Sequence, residues 1–170
     1  MRILTWVLAG AAVAGGQVAA HAAAPDSGPS PAQQRFTDGL RTAARGVAQL
    51  KDGIGRVGRA RVDTAQLRMA GQRLGGLCGS AGTFVRQGRA KMTHTAYTDS
   101  ARIAARRLNQ QVDSLLAFLP QCQREGGKAP TATAATLVSR LRSYEAALQK
   151  FRDMLAQTAA PTPPPPPPTR

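Results

Sequence analysis

Apolar residues along this chain recur in steps of three and four over four long stretches. Side chains so spaced share one face of an α-helix. The clearest stretch is Ala101 to Cys122, where Ala101, Ala105, Leu108, Val112, Leu115, Leu119 and Cys122 form the stripe. Arg102, Arg106, Asn109, Gln110 and Asp113 lie opposite it, on a face that water can cover. One helix cannot bury such a stripe alone, so the pattern calls for partner helices.

The partners are legible on either side. Phe36, Leu40, Ala43, Val47, Leu50, Ile54 and Val57 predict a helix over 31–57, opened by Ser30 as N-cap and Pro31 at the first helical position. Leu67, Ala70, Leu74, Leu77, Ala81 and Phe84 predict a second over 62–96, with Cys78 and Val85 beside the stripe. Inside it, Gly75, Gly76, Gly79 and Gly82 predict a break or kink near 75–82; the alternative is that small residues let another helix approach closely. The third helix is expected over 99–119, stopped by Pro120 and followed by a polar loop to Pro130. Ala134, Leu137, Leu141, Tyr144, Leu148, Phe151 and Leu155 predict the fourth, over 131–157. The expected fold class is all-α, an antiparallel bundle of about four helices over 31–157.

The ends of the chain read differently. Met1 and Arg2 precede an apolar run from Ile3 to Val18 that closes on Ala20-His21-Ala22. This is the pattern of a secretory signal peptide over 1–22, cut after Ala22. The run is shorter than the roughly 20 apolar residues of a spanning helix. A flexible lead over 23–30 and a proline-rich tail over 158–170 flank the expected bundle. The tail's six consecutive prolines favour extended polyproline II, as a disordered end or as a spacer or groove ligand.

Export changes the meaning of the two cysteines, Cys78 and Cys122. In an oxidising compartment they read as one disulfide. Residues level with each other in an antiparallel hairpin are equidistant from its turn, so this pair requires a turn centred near residue 100. A turn at Thr93 would set them about fourteen residues out of step, roughly 21 Å of rise. A bridge needs Cα atoms within about 7 Å. The disulfide therefore predicts a late turn, with the second helix running to about Ala96. With an early turn, the thiols would be free or paired between chains.

Catalytic chemistry has little to stand on. Past the leader the single histidine is His94, at a turn, which leaves no His-paired metal site and no Ser-His-Asp system. Cys122 is followed by Gln-Arg-Glu rather than the C-x-x-C-H of covalent haem. Gly53-Ile54-Gly55-Arg56-Val57-Gly58 imitates G-x-G-x-x-G but lacks the preceding strand. The acidic residues are scattered and form no working pair. No enzyme activity and no cofactor are expected.

Charge is the one feature with functional content. The chain carries 23 Lys and Arg against 9 Asp and Glu, a net charge of +14. Nineteen of the basic residues are arginine, whose planar donor fork suits phosphate and carboxylate. Residues 35–107 hold fifteen basic and four acidic residues, a balance of +11; residues 108–170 hold seven and four, a balance of +3. Arg41/Arg45 and Arg102/Arg106 are i,i+4 pairs that repel unless an anion lies between them. Arg56, Arg59 and Arg61 cluster at the first inter-helix turn. These seven arginines are the candidate anion-binding residues.

The sequence thus predicts an exported, non-enzymatic interaction protein of the cell envelope, periplasmic or secreted. Its expected partner is a lipid phosphate, an acidic glycan or an acidic protein, with peripheral membrane contact. Export and the scarcity of aromatics for base stacking argue against cytoplasmic nucleic acid. The alternative reading is a chaperone-like or adaptor bundle with an apolar groove opened at the glycine segment.

Overall fold

The computed structural model describes residues 28–60 and 62–159. Four helices make up the described chain: α1 (Pro31–Arg59), α2 (Thr64–Lys91), α3 (Asp99–Glu125) and α4 (Pro130–Ala159), with a 3-10 turn at His94–Ala96. They form an antiparallel all-α bundle tied by one Cys78–Cys122 disulfide. Neighbours in sequence are neighbours in space, α4 packs back onto α1, and α1 and α3 lie on the long diagonal with their backbones apart. The signal peptide expected over 1–22, most of the expected lead, Arg61 and most of the proline-rich tail lie outside the described residues. No described helix is long and apolar enough to cross a membrane.

Local sequence sets both helix starts in the first hairpin. Ser30 Oγ accepts from Gln33 N, and Gln33 Oε1 accepts in return from Ser30 N at 2.8 Å, with Pro31 behind the cap. This closes two backbone donors that a helix start leaves open. Asp63 caps α2 with its carboxylate alone, accepting from Ala65 N and Gln66 N.

The glycines correct the first expectation: α2 is continuous through 75–82. The segment is small on one side because another chain segment rests against it. A Cβ at Gly75 would lie 2.9 Å from Gln123 O, and one at Gly71 would meet the Gly126 carbonyl and the Pro130 ring. On α1, Gly39, Gly46 and Gly53 stand seven residues apart and face Gly88, Ala81 and Leu74, also seven apart. Every one of these pairs is equidistant from the Asp63–Thr64 bond, so the hairpin is in strict antiparallel register. A Cβ at Gly39 would lie 2.6 Å from Gly88 O, and one at Gly46 would lie 2.8 Å from Ala81 O. The two backbones touch along this seam.

Pro120 corrects the second. Helix α3 passes through it and ends six residues beyond Leu119, at Glu125. The proline removes one backbone bond, but the turn beyond it has partners of its own. Cys122 is fully buried and bridged, and Gly126 closes onto Gly71 and Gly75. Tertiary packing overrides the local break. Because the Pro120 side chain is exposed, Pro120→Ala is expected to raise unfolding stability by about 1–3 kcal/mol in urea titration.

The disulfide register holds, by a route other than a long α2. Cys78 and Cys122 have Cα atoms 6.0 Å apart. Arg89 donates to both carboxylate oxygens of Asp113, at 2.8 and 3.0 Å, and Gly82 faces Leu119. All these pairs mirror about residues 100–101. Yet α2 stops at Lys91 rather than Ala96, and the carbonyl of Met92 accepts from Asn109 Nδ2 at 2.8 Å. Helix α3 therefore begins ten residues above the end of α2, roughly 15 Å of rise. Met92–Thr98 climbs that distance alongside α3, and Asp99, at a φ of 48°, turns the chain into the helix.

Tyr97 fills the place that α2 vacates. Its ring packs edge-on against Phe36 at 5.2 Å and Phe151 at 5.1 Å, closing the end of the bundle. Burial pushes its phenol above the ordinary value, with a hydrogen bond to Thr37 opposing the shift. Below this cluster the core is Leu, Val and Ala, with Tyr144 and Phe118 at its edges.

Candidate functional site

The structure separates the seven candidate arginines. Arg41 and Arg45 are exposed on α1, and Arg41 is held by Asp38 at 2.9 Å. Arg102 and Arg106 are exposed on α3, the diagonal helix, so the two i,i+4 pairs do not combine into one patch. Arg61 lies outside the described residues. Arg56 and Arg59, at the last turn of α1, are the candidates that the fold brings together.

They meet across the hairpin with Arg73, a residue that helical spacing alone does not single out. Arg56, Arg59 and Arg73 line a cleft of about 450 Å³ with Ala60, Gln66, Met69 and Ala70. The walls come from the end of α1 and the opening turns of α2, whose start Asp63 fixes through its two backbone hydrogen bonds. Arg56 Nε bonds Asp52 Oδ2 at 2.8 Å, which steadies its guanidinium while Asp52 itself stays outside the cleft. A second hollow of about 350 Å³ adjoins it, sharing Arg56 and Arg73 and lined also by Asp52, Gly76 and Leu77. Reflection about the Asp63–Thr64 bond sets Arg73 beside Ile54, within one turn of Arg56. The mirror that pairs the cysteines, applied to the first hairpin, is the signal that finds it.

Other basic grooves are less suited to an anion. Between α1 and α4, Lys51 and Arg152 share a hollow of about 410 Å³ with Glu145, to which Lys51 is ion-paired. Between α3 and α4, Arg107 and Lys150 stand at a hollow of about 320 Å³ among Gln110, Gln111 and Ser143. Arg89 is committed to Asp113, and Arg140 to Ser114, with its guanidinium 5.0 Å above the Phe118 ring. The α1–α2 cleft alone among these offers three guanidinium groups and no carboxylate in its lining.

Chemically, such a lining can grip phosphate, sulfate or carboxylate oxygens through forked N–H donors. Its remaining groups are an amide, a thioether and alanine methyls. Among the described residues no three His, Cys, Asp or Glu side chains gather as a metal-holding group, and both described cysteines are in the bridge. In the glycine segment, where the alternative reading placed an apolar groove, Gly75, Gly79 and Gly82 lie against the end of α3, whereas Gly76 faces open space.

Fold and site together define a disulfide-tied, arginine-rich four-helix bundle. No protein-family model, curated protein or solved structure matches the chain.

Proposed function

We propose that this chain is a non-enzymatic interaction protein of the cell envelope, periplasmic or secreted, that binds an anionic surface or partner through the arginine cleft at its α1–α2 end. The observation that carries the reading is the convergence of Arg56, Arg59 and Arg73 on one open cleft without a lining carboxylate. The chain's net charge of +14 supports it, since a field of that size draws anions from solution. The leader pattern over 1–22 and the disulfide support delivery to an oxidising compartment.

Because the contact is electrostatic, it responds to salt and to charge removal. The triple variant Arg56→Gln/Arg59→Gln/Arg73→Gln is expected to bind a sulfated glycan such as heparin about tenfold more weakly than the parent chain. Parent binding is expected to weaken steeply between low and physiological salt, as Debye screening requires. Calorimetric titration at several salt concentrations reads both effects. Equal affinity of the triple variant and the parent, or affinity indifferent to salt, refutes the assignment. All three side chains line an open cleft, so the variant keeps the core intact.

A further inference from the structure

We propose that the α1–α2 end of the bundle is a docking tip for an anionic lipid bilayer, with Val62 entering the headgroup–acyl boundary while Arg56, Arg59 and Arg73 hold lipid phosphates. The proposal rests on the anion-binding reading above and names its partner. Val62 is 98% exposed at the apex of the turn, and Met69, 57% exposed, sits in the wall of the arginine cleft. They are two of the three large apolar side chains left in water among the described residues. The third, Ile103, is on α3 toward the opposite end of the bundle.

An anion in solution would use the arginines and ignore the valine. A bilayer gives both a partner, because phosphates lie at its surface and acyl chains a few ångströms beneath. The acidic neighbour does not spoil the match. Asp63 turns its carboxylate onto the backbone N–H groups of Ala65 and Gln66, where the start of α2 offsets its charge. The α3–α4 turn stands at the same end, where Gly126 meets Gly71, and it brings exposed Arg124 and Lys128 to that side against one half-buried carboxylate, Glu125. An apolar apex within a basic surround is complementary to an anionic membrane.

The test uses the chain as its native cell delivers it, in parent form and as Val62→Ser, which keeps every charge and removes no buried contact. Co-sedimentation is measured with vesicles of phosphatidylcholine alone and of phosphatidylcholine with phosphatidylglycerol, beside heparin binding by the same proteins. The parent is expected to bind the anionic vesicles and leave the neutral ones. Val62→Ser is expected to bind the anionic vesicles about three- to tenfold more weakly, with its heparin affinity unchanged. Parent binding to heparin but not to vesicles overturns the tip in favour of a glycan and leaves the anion reading standing. So does vesicle binding that Val62→Ser does not weaken. A parent chain that binds neither heparin nor anionic vesicles refutes the anion reading itself, and the docking tip with it.

Discussion

Removing the Cys78–Cys122 bridge is expected to lower the unfolding free energy by about 4 kcal/mol and the thermal midpoint by roughly 10–15 °C. The bridge closes a separation of 44 residues that contains the end of α2, the climbing segment and most of α3. In the chain-entropy description, opening it returns that freedom to the unfolded chain. Both cysteines are completely buried, so Cys78→Ala/Cys122→Ala is the cleaner variant; serine would add two buried hydroxyls in need of partners. Urea titration of the alanine pair, beside the parent with and without reductant, gives the comparison. Losses that agree between reduced parent and alanine pair would locate the effect in the cross-link. A loss under about 1 kcal/mol would mean that packing along α2 and α3 holds the register unaided.

The fold also says where that loss falls. Residues 121–125 lie past Pro120, where the helix has already lost one backbone bond, and Cys122 anchors them. Hydrogen exchange in the reduced chain should rise first in this last turn of α3.

The periodic positions of the sequence carried most of the architecture. The stripes on α1, α3 and α4 fall on buried faces, because a side chain's place on a helix depends only on its own spacing. The cysteine mirror gave the α2–α3 register for a related reason: a covalent tie constrains distance whatever lies between its ends. What escaped was set by partners. Met92–Thr98 leaves the α-helix, with only the 3-10 turn at His94–Ala96, because Phe36 and Phe151 offer Tyr97 a better site than another turn of α2 could use. Pro120 stays in a helix because Cys122 and Gly126 anchor the turn beyond it. The site was half legible for the same reason. Arg56 and Arg59 stand close together in sequence, whereas Arg73 joins them only through the fold of the hairpin. Glycine was the hardest residue to read, since an empty side chain looks the same whether it weakens a helix or admits a neighbour.

That ambiguity has a measurable sign. Gly88→Ala is expected to destabilise the chain by about 2–4 kcal/mol, against a helix-propensity gain of about 1 kcal/mol for the same change in an open position. A Cβ at Gly88 would stand 2.6 Å from Ala43 N and 2.9 Å from Ala43 Cβ. The nearer of these atoms is backbone, and a backbone cannot rotate aside as a long side chain can. Helices α1 and α2 would have to part at that end, loosening the packing of Phe36, Ala43 and Val85 along the seam. Gly76→Ala is the matched control. It lies on the same helix, twelve residues away, with nothing within 4 Å of its Cβ. It should gain about 0.5–1 kcal/mol by restricting the unfolded chain and favouring the helix. The two substitutions are chemically identical, so opposite signs in urea titration would assign the difference to the neighbour alone. A stabilising Gly88→Ala would mean that the α1–α2 backbones do not touch in solution, and the close seam that orients Arg56 and Arg59 toward Arg73 would lose its basis.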